Sequence, residues 1–115
     1  MAWSPAPVTE QLLDEITRAI VREVDPQQII LFGSHARGSA GPESDLDLLV
    51  VEEAAFDGRR SRRGEAARLW RVLRHFLIPK DILVFSRAEI ERWRDSANHV
   101  IGKALRDGRV LYARP

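Results

Sequence analysis

The segment that most constrains the fold of this 115-residue chain is the stretch 29–51, IILFGSHARGSAGPESDLDLLVV. It consists of an apolar run, a turn at Gly33 and Ser34, a polar excursion, and a second apolar run that opens with Asp45 and Asp47. Because successive strand side chains point to opposite faces, the two aspartates share one face and the leucines beside them occupy the other. The stretch therefore predicts two strands joined by a short polar segment, with two carboxylates held close together.

The two carboxylates predict a binding site for a cation. Like charges at this spacing repel each other, and the pKa of one group rises unless a cation compensates. Mg²⁺ suits the pair, because it prefers oxygen ligands and commonly binds one or two carboxylates together with the phosphates of a substrate. The plainer alternative is that Asp45 and Asp47 are only polar residues at the start of a strand.

The turn before the carboxylates predicts a cradle for phosphate. Gly33 allows the backbone to approach an anion closely, since it has no side chain. If the residues from Ser34 onward open a short helix, their unpaired N–H groups and the positive end of the helix dipole would face that anion. One loop would then join the phosphate cradle to the carboxylates.

This arrangement resembles the motif of the minimal nucleotidyltransferase (MNT) proteins of prokaryotes, in the DNA polymerase beta-like nucleotidyltransferase superfamily. Their usual motif is close to Gly-Ser-x-Ala-Arg-Gly followed by Ser-Asp-x-Asp-Leu. The motif covers only residues 29–51, and the rest of the chain resembles the family in element order alone. The matching residues are Gly33, Ser34, Ala36, Arg37 and Gly38, then Ser44, Asp45, Asp47 and Leu48.

The resemblance implies transfer of a nucleoside monophosphate, AMP from ATP, to a hydroxyl group, with release of pyrophosphate. Asp45 and Asp47 would hold two Mg²⁺ ions, and Gly33 and Ser34 would hold the β- and γ-phosphates. The superfamily's third carboxylate matches Asp81, which opens a later apolar run and would ligate one ion and act as, or position, the base. Its plainer interpretation is a solvated acid at a strand end.

Three further residues of the loop have weaker assignments. Arg37 is a candidate contact to phosphate or to a partner, since a guanidinium suits a triphosphate. Ser44 is included as nucleotide-binding because it matches the motif, although a plain loop residue is the alternative. His35, where a relative can carry arginine, is expected to be a surface residue.

Small prokaryotic proteins of this family are typically antitoxins. They are encoded beside a HEPN-domain ribonuclease toxin, which they bind and, in some types, adenylylate on a tyrosine. The resemblance therefore implies a nearby HEPN-type toxin as partner, assembly with that partner, and ATP as substrate. Two alternatives stay open: an antitoxin that acts by binding alone, and an enzyme that modifies a small molecule such as an aminoglycoside.

Composition limits the classes of protein that the chain can belong to. With 44% hydrophobic and 30% charged residues, it is typical of one soluble globular domain. The absence of cysteine suits a reducing cytoplasm, and no apolar run is long enough to span a membrane. A net charge of +1 argues against a surface devoted to nucleic acid. We therefore expect a cytoplasmic protein with no membrane segment and no direct nucleic-acid binding.

Hydrophobic periodicity predicts an α/β (α+β) fold, with a small mixed sheet of three to four strands and helices mainly on one side. The resemblance implies that this is the nucleotidyltransferase fold. Residues 1–8 are expected to be a flexible leader and residues 9–115 a single domain. Pro79 and Gly108 are expected to end helices, and Ser86 and Ser96 to begin them. The predicted helices are 9–24, 60–77 as the longest, and two pieces within 86–107; the predicted strands are 28–32, 45–51, 81–85 and 109–112.

The segment 59–74 has a strong charge asymmetry, with seven arginines and one acid. Most of these arginines fall on one face of the predicted helix 60–77, opposite its apolar stripe. The face is either simply solvated or a contact surface for an acidic partner or anionic ligand. The sequence leaves both interpretations open.

Overall fold

The structure is a computed structural model that describes residues 7–41 and 44–115. Most of the predicted leader, residues 1–6, lies outside the described residues, so its flexibility stays a prediction. None of the described helices combines the length and apolar character needed to cross a membrane. The elements in chain order are α1 (Glu10–Val24), β1 (Gln28–Phe32), α2 (Gly33–Arg37), β2 (Leu46–Glu52), α3 (Arg62–Leu73), β3 (Lys80–Ser86), α4 (Arg87–Trp93), α5 (Val100–Asp107) and β4 (Arg109–Ala113).

The four strands form one mixed sheet in the order β3-β2-β1-β4. Strand β1 pairs antiparallel with both β2 and β4, whereas β2 pairs parallel with β3. A parallel pair needs a crossover connection, and α3 supplies it between β2 and β3. The predicted fold class, an α/β fold with a small mixed sheet, is confirmed. The predicted strands are confirmed to within one residue at each end.

Helices cover the two faces of the sheet unequally. The long helices α1 and α3 pack on the main face, and the short helices α4 and α5 cover part of the other face. The main cluster contains Leu13, Ile16, Ile20, Ile29, Leu31, Leu46, Leu48, Val50, Leu69, Leu73, Ile78, Ile82 and Val84. The smaller cluster contains Ile30, Leu49, Val51, Ile90, Ile101 and Ala104. Alternation along β2 explains the division, since Leu48 and Leu49 belong to different clusters.

Helix α1 follows the predicted pattern closely. The hydroxyl of Thr9 accepts a hydrogen bond of 3.1 Å from the N–H of Leu12, which satisfies one of the free donors of the first turn. Glu10 adds a negative charge at the positive end of the helix dipole. The helix ends at Asp25, whose left-handed backbone (φ 45) precedes Pro26. Local sequence signals thus determine both ends.

Helix α3 is shorter than the predicted helix 60–77, and the longest helix is α1, with 15 residues against 12. The hydroxyl of Ser61 caps its start by accepting a hydrogen bond from the N–H of Gly64. At its other end the N–H of Phe76 donates to the carbonyl of Leu73, which closes a tight turn well before Pro79. The prediction of the helix end at Pro79 was therefore wrong.

Ser86 begins α4 as predicted, whereas Ser96 does not begin α5. The Ser86 hydroxyl and the Glu89 side chain form a capping box. In α5 the cap is His99, whose Nδ1 accepts a hydrogen bond of 3.1 Å from the N–H of Ile101. Ser96 instead presents its carbonyl to the helix, at a place where a Cβ on Gly102 would lie 1.8 Å from that oxygen. Packing between the two segments decides the start of α5.

We predict that Leu69→Ala lowers the free energy of unfolding by about 2–5 kcal/mol, the range for a leucine removed from a packed core. Leu69 is fully buried in the main cluster, so its loss leaves a cavity between α3 and the sheet. The same substitution at Leu77, which is 64% exposed, should change the free energy by less than about 0.5 kcal/mol. Urea denaturation of both variants measures the two effects. Equal effects would contradict the assigned core.

Candidate active site

The site forms where three elements meet at one edge of the sheet. Asp47 lies opposite Phe32, the last residue of β1, and opposite Asp81 in β3. Antiparallel pairing with β1 and parallel pairing with β3 therefore bring the end of β1 and the starts of β2 and β3 together. Along β2, Asp47 alternates on the same face as Leu49 and Val51 of the smaller cluster.

Gly33 packs its backbone directly against the carboxylate of Asp47. A Cβ at this position would lie 2.2 Å from Asp47 Oδ2, so any other residue would displace the carboxylate. The backbone is also left-handed, with φ +73, a conformation that glycine adopts without strain. Both the close approach and the backbone angle therefore favour glycine here. Gly38 shares the angle of +73, but nothing lies within 4 Å of its position for a Cβ.

The carboxylate of Asp47 is influenced electrostatically by the other two predicted carboxylates. Burial raises the pKa of Asp47, and the negative charges of Asp81 and Asp45 raise it further, while the positive charges of His35 and Arg37 lower it. A raised pKa means that folding disfavours the ionised form, so this contribution to stability is lost as pH rises through the folded-state pKa. The charged site at neutral pH is thus destabilising, and a bound cation would remove the repulsion.

The carboxylates provide the oxygen ligands that Mg²⁺ prefers. In the structure, however, their side chains are not close enough together to form a coordination sphere. Their side chains take part in no hydrogen bond or ion pair with other described residues, which leaves their oxygens available. Within residues 7–41 and 44–115, no three His, Cys, Asp or Glu side chains are close enough together to hold an ion. Asp45, Asp47 and Asp81 therefore fit the ion chemically, while coordination requires their side chains to converge.

Helix α2 contains the other half of the predicted site. Its N-cap residue, Phe32, makes no side-chain hydrogen bond to the first turn, so a side chain does not satisfy those N–H groups. Ser34 lies in this turn, and its carbonyl accepts hydrogen bonds from Gly38 and Ser39 at the end of the helix. The side chain of Arg37 is exposed, yet its charge reaches Asp47.

Ser44 closes the loop that leads into β2. Its hydroxyl accepts a hydrogen bond of 2.9 Å from the N–H of Gly41, and its own N–H donates to the carbonyl of Gly41. The hydroxyl is thus engaged in the turn that precedes Asp45. A nucleotide contact through Ser44 stays a prediction.

His35 has a structural position that the sequence did not reveal. Its Nε2 lies 3.2 Å from the carbonyl oxygen of Ser44, and the ring donates this bond because a carbonyl can only accept. The half-buried ring ties α2 to the residue before Asp45, rather than being a plain surface group. Nine residues separate the partners, and no local pattern predicts a contact across an irregular loop.

Comparison with known proteins identifies the fold and the family. The nucleotidyltransferase domain family matches residues 13–110, from α1 to β4. A Methanocaldococcus jannaschii protein, named as a candidate protein adenylyltransferase, is 55% identical over 31 residues. This match spans 27% of the chain and 31% of the relative. The similarity to the relative is therefore confined to a short segment.

Two solved structures have the same fold at low sequence identity. A nucleotidyltransferase candidate from Sulfolobus solfataricus is 21% identical, with a TM-score of 0.57 over 89% of this chain and 81% of that chain. A tri-AMPylated Shewanella oneidensis HEPN toxin in complex with its MNT antitoxin gives 21% identity and a TM-score of 0.52, over 92% of this chain and 74% of that chain.

The family match extends over nearly every described element and includes the Gly33 turn as well as all three aspartates. The sequence resemblance to nucleotidyltransferases is thus confirmed by an independent comparison. This chain belongs to the nucleotidyltransferase domain family.

Proposed function

We propose that this protein transfers AMP from ATP to a hydroxyl side chain of a partner protein and acts as an antitoxin. The observation that carries this proposal is the contact between the Gly33 backbone and the Asp47 carboxylate, within reach of the charges of Asp45 and Asp81. A turn with uncapped amides beside a cluster of acids suits a triphosphate bound together with a divalent cation. Family membership supports the same chemistry.

The proposed reaction is a displacement at the α-phosphorus of ATP. The acceptor oxygen forms a bond to the α-phosphorus, and the bond from that phosphorus to the oxygen bridging to the β-phosphate breaks. Pyrophosphate leaves with the electron pair, and the hydroxyl proton passes to the carboxylate of Asp81. Asp81 suits this role because it is exposed and faces Asp47 across the parallel pair.

The residues of the loop would position the triphosphate. The N–H groups at Gly33 and Ser34 would donate to the β- and γ-phosphates, and Arg37 would add a cationic contact. Asp45, Asp47 and Asp81 would hold two Mg²⁺ ions, which supply charge neutralisation for the phosphates and the leaving oxygen. Ser44 would support the loop at the point where it enters β2.

The partner is proposed from resemblance and from the named relatives. The Shewanella oneidensis HEPN toxin is tri-AMPylated in its complex with an MNT antitoxin. The Methanocaldococcus jannaschii relative is named as a candidate protein adenylyltransferase. By analogy, the acceptor here is a HEPN-type toxin encoded near this gene, and a tyrosine is the residue that receives AMP. Assembly with that toxin would hold the hydroxyl close to the α-phosphorus, where orientation accounts for much of the rate.

Transfer is tested by mixing the protein with its neighbouring HEPN-type protein, Mg²⁺ and ATP. We expect the partner to gain the mass of one or more AMP groups, and Asp81→Asn to lower the rate by about a hundredfold, the usual scale for a general base. Intact-mass spectrometry over time measures both.

The matched control for this assay is ATP binding by Asp81→Asn. Binding should be largely unchanged, because asparagine keeps the shape of the aspartate side chain. Tight binding without any mass change would favour an antitoxin that acts by contact alone. Full activity of Asp81→Asn would show that Asp81 is only a solvated acid at the end of a strand. Modification of a small hydroxylated compound instead would contradict the protein acceptor.

Ligand binding should also be visible as stabilisation of the folded state. Mg²⁺ with ATP is expected to raise the melting temperature more than either alone, because ligands at a hundredfold excess over Kd stabilise by about 2.7 kcal/mol. Asp45→Asn with Asp47→Asn should lose this shift, while the protein without ligand is no less stable, since like-charge repulsion is relieved. The exposed Asp95, which does not act on Asp47, provides the control variant Asp95→Asn. A full shift in the double variant would refute the assignment.

Alanine substitutions at Gly33 and Gly38, which both have left-handed backbones, distinguish the effect of backbone strain from the effect of site geometry. Both Gly33→Ala and Gly38→Ala carry the left-handed penalty of about 1–2 kcal/mol in the free energy of unfolding. Only Gly33→Ala also displaces the Asp47 carboxylate, so it should lower transfer by about a hundredfold, the scale of a roughly 1 Å misplacement. Denaturation and transfer assays measure the two effects. Equal losses of transfer in both variants would contradict the role of the contact.

A further inference from the structure

Two large apolar side chains are exposed at the C-terminal end of α3. Trp70 is 45% exposed and Leu77 is 64% exposed. Single exposed apolar residues are ordinary on a protein surface, but adjacent ones with charged neighbours are typical of binding sites.

Lys80 contacts both Trp70 and the bend of the backbone that carries Leu77. The ammonium group of Lys80 lies 4.9 Å from the centre of the Trp70 ring, a cation–π contact. It also donates hydrogen bonds to the carbonyls of Phe76 (3.0 Å) and Ile78 (3.3 Å), the two residues that flank Leu77. Trp70 and the bend that carries Leu77 are thus held against one buried lysine.

The arginines of the segment 59–74 divide into two groups. Three of them are engaged within the fold: Arg60 with Glu52 and Glu65, Arg62 with Glu89, and Arg68 with Glu23 and Glu65. The other four are exposed and form no ion pair with any residue in 7–41 or 44–115: Arg59, Arg63, Arg71 and Arg74. Arg74 follows Trp70 by four residues and so lies on the same side of the helix, and Arg71 is the next residue in the chain. Residues 66–80 contain no Asp or Glu.

These four residues, Trp70, Arg71, Arg74 and Leu77, are called the Trp70 surface below. Tryptophan and arginine are the residues that most often dominate protein–protein binding energy. A nucleic acid would suit the arginines, but the apolar side chain of Leu77 has neither a charge nor a hydrogen-bond donor for a phosphate backbone. The composition of the Trp70 surface therefore favours a protein partner that presents an apolar pocket bordered by acidic side chains.

The Trp70 surface lies at the same edge of the sheet as the carboxylates. Lys80 pairs with Leu46, the residue between Asp45 and Asp47, and directly precedes Asp81. The N–H of Leu46 also donates a hydrogen bond of 2.8 Å to the carbonyl of Pro79. Because neighbouring strand residues point to opposite faces, Lys80 lies with Leu46 on the main face and Asp81 lies with Asp47 on the other. A protein bound at the Trp70 surface would therefore reach the proposed base by extending past the starts of β2 and β3.

We propose that the Trp70 surface docks the protein that carries the acceptor hydroxyl, and that this partner contacts it through an acidic, partly apolar patch. This inference rests on the proposed function, because it names where the acceptor binds. Docking here places the partner beside the site without a separate substrate-binding domain. Opposite charge on the partner also accelerates association at low ionic strength.

The test measures binding separately from transfer, with the HEPN-type protein encoded beside this gene as the probe. Isothermal titration calorimetry is carried out on the wild type, Leu77→Ser, Trp70→Ala and the double variant Arg71→Glu with Arg74→Glu. We expect the Kd to rise at least about tenfold in the Trp70 and double-arginine variants, and the wild-type Kd to rise with salt. Leu77→Ser, which changes an exposed residue, should weaken binding even if Trp70→Ala unfolds.

The matched control is Arg59→Glu with Arg63→Glu, which changes the net charge equally at two other exposed arginines without ion pairs to described residues. It should bind like the wild type, and every variant should keep the ATP-dependent rise in melting temperature. Equal weakening by both double variants would overturn the proposal, as would wild-type protein that does not bind. Loss of binding to a 20-nucleotide RNA rather than to the protein would assign the surface to nucleic acid and also overturn it.

The two proposals fail in different ways. If the Trp70 surface variants lose binding and the wild type never transfers AMP, docking stands and the proposed reaction is wrong. If AMP is transferred and the variants bind and react like the wild type, the reaction stands and the docking surface is wrong.

Discussion

The contact between the Gly33 backbone and the Asp47 carboxylate is the constraint on which the site depends. Gly33 combines this contact with a left-handed backbone, and the contact places the start of α2 against the start of β2. The loop between them is closed by the His35 ring on the carbonyl of Ser44 and by the hydroxyl of Ser44 on Gly41. A single close approach thus keeps the turn at Gly33 close to the carboxylate of Asp47.

Strand pairing in the sheet adds a third acid, Asp81, to the site, and with it electrostatic repulsion that lowers the stability of the fold. Parallel pairing sets Asp81 opposite Asp47, and two neighbouring acids together with burial raise the pKa of Asp47. A folded protein that keeps three repelling carboxylates gives up stability at that edge of the sheet, as active sites commonly do. The two apolar clusters on the faces of the sheet supply the stability that tolerates this repulsion.

Among the described residues, tertiary contacts divide the arginines of the segment 59–74 into paired and unpaired side chains, which the sequence pattern does not predict. Seven arginines in the segment 59–74 suggest one continuous basic face. In the fold, Arg60, Arg62 and Arg68 pair with acids from β2, α4 and α1. These pairs join α3 to two other helices and the loop before α3 to a strand. Arg71 and Arg74 are left beside Trp70, where charge is available to a partner rather than to the fold.

The sequence by itself determined the elements whose signals are local. The helix predicted over 9–24, the glycine turn at 33–34 and the paired aspartates each depend on signals within a few residues of the predicted structure. The family motif fits inside one strand-loop-strand unit. Only the tertiary structure decided the contacts between distant segments. These are the pairing of Asp81 with Asp47, the hydrogen bond from the His35 ring to Ser44, the cap of α5 at His99 instead of Ser96, and the contact of Lys80 with the bend that follows α3. These depend on packing and on hydrogen bonds between residues far apart in the chain, which periodicity and propensity do not encode.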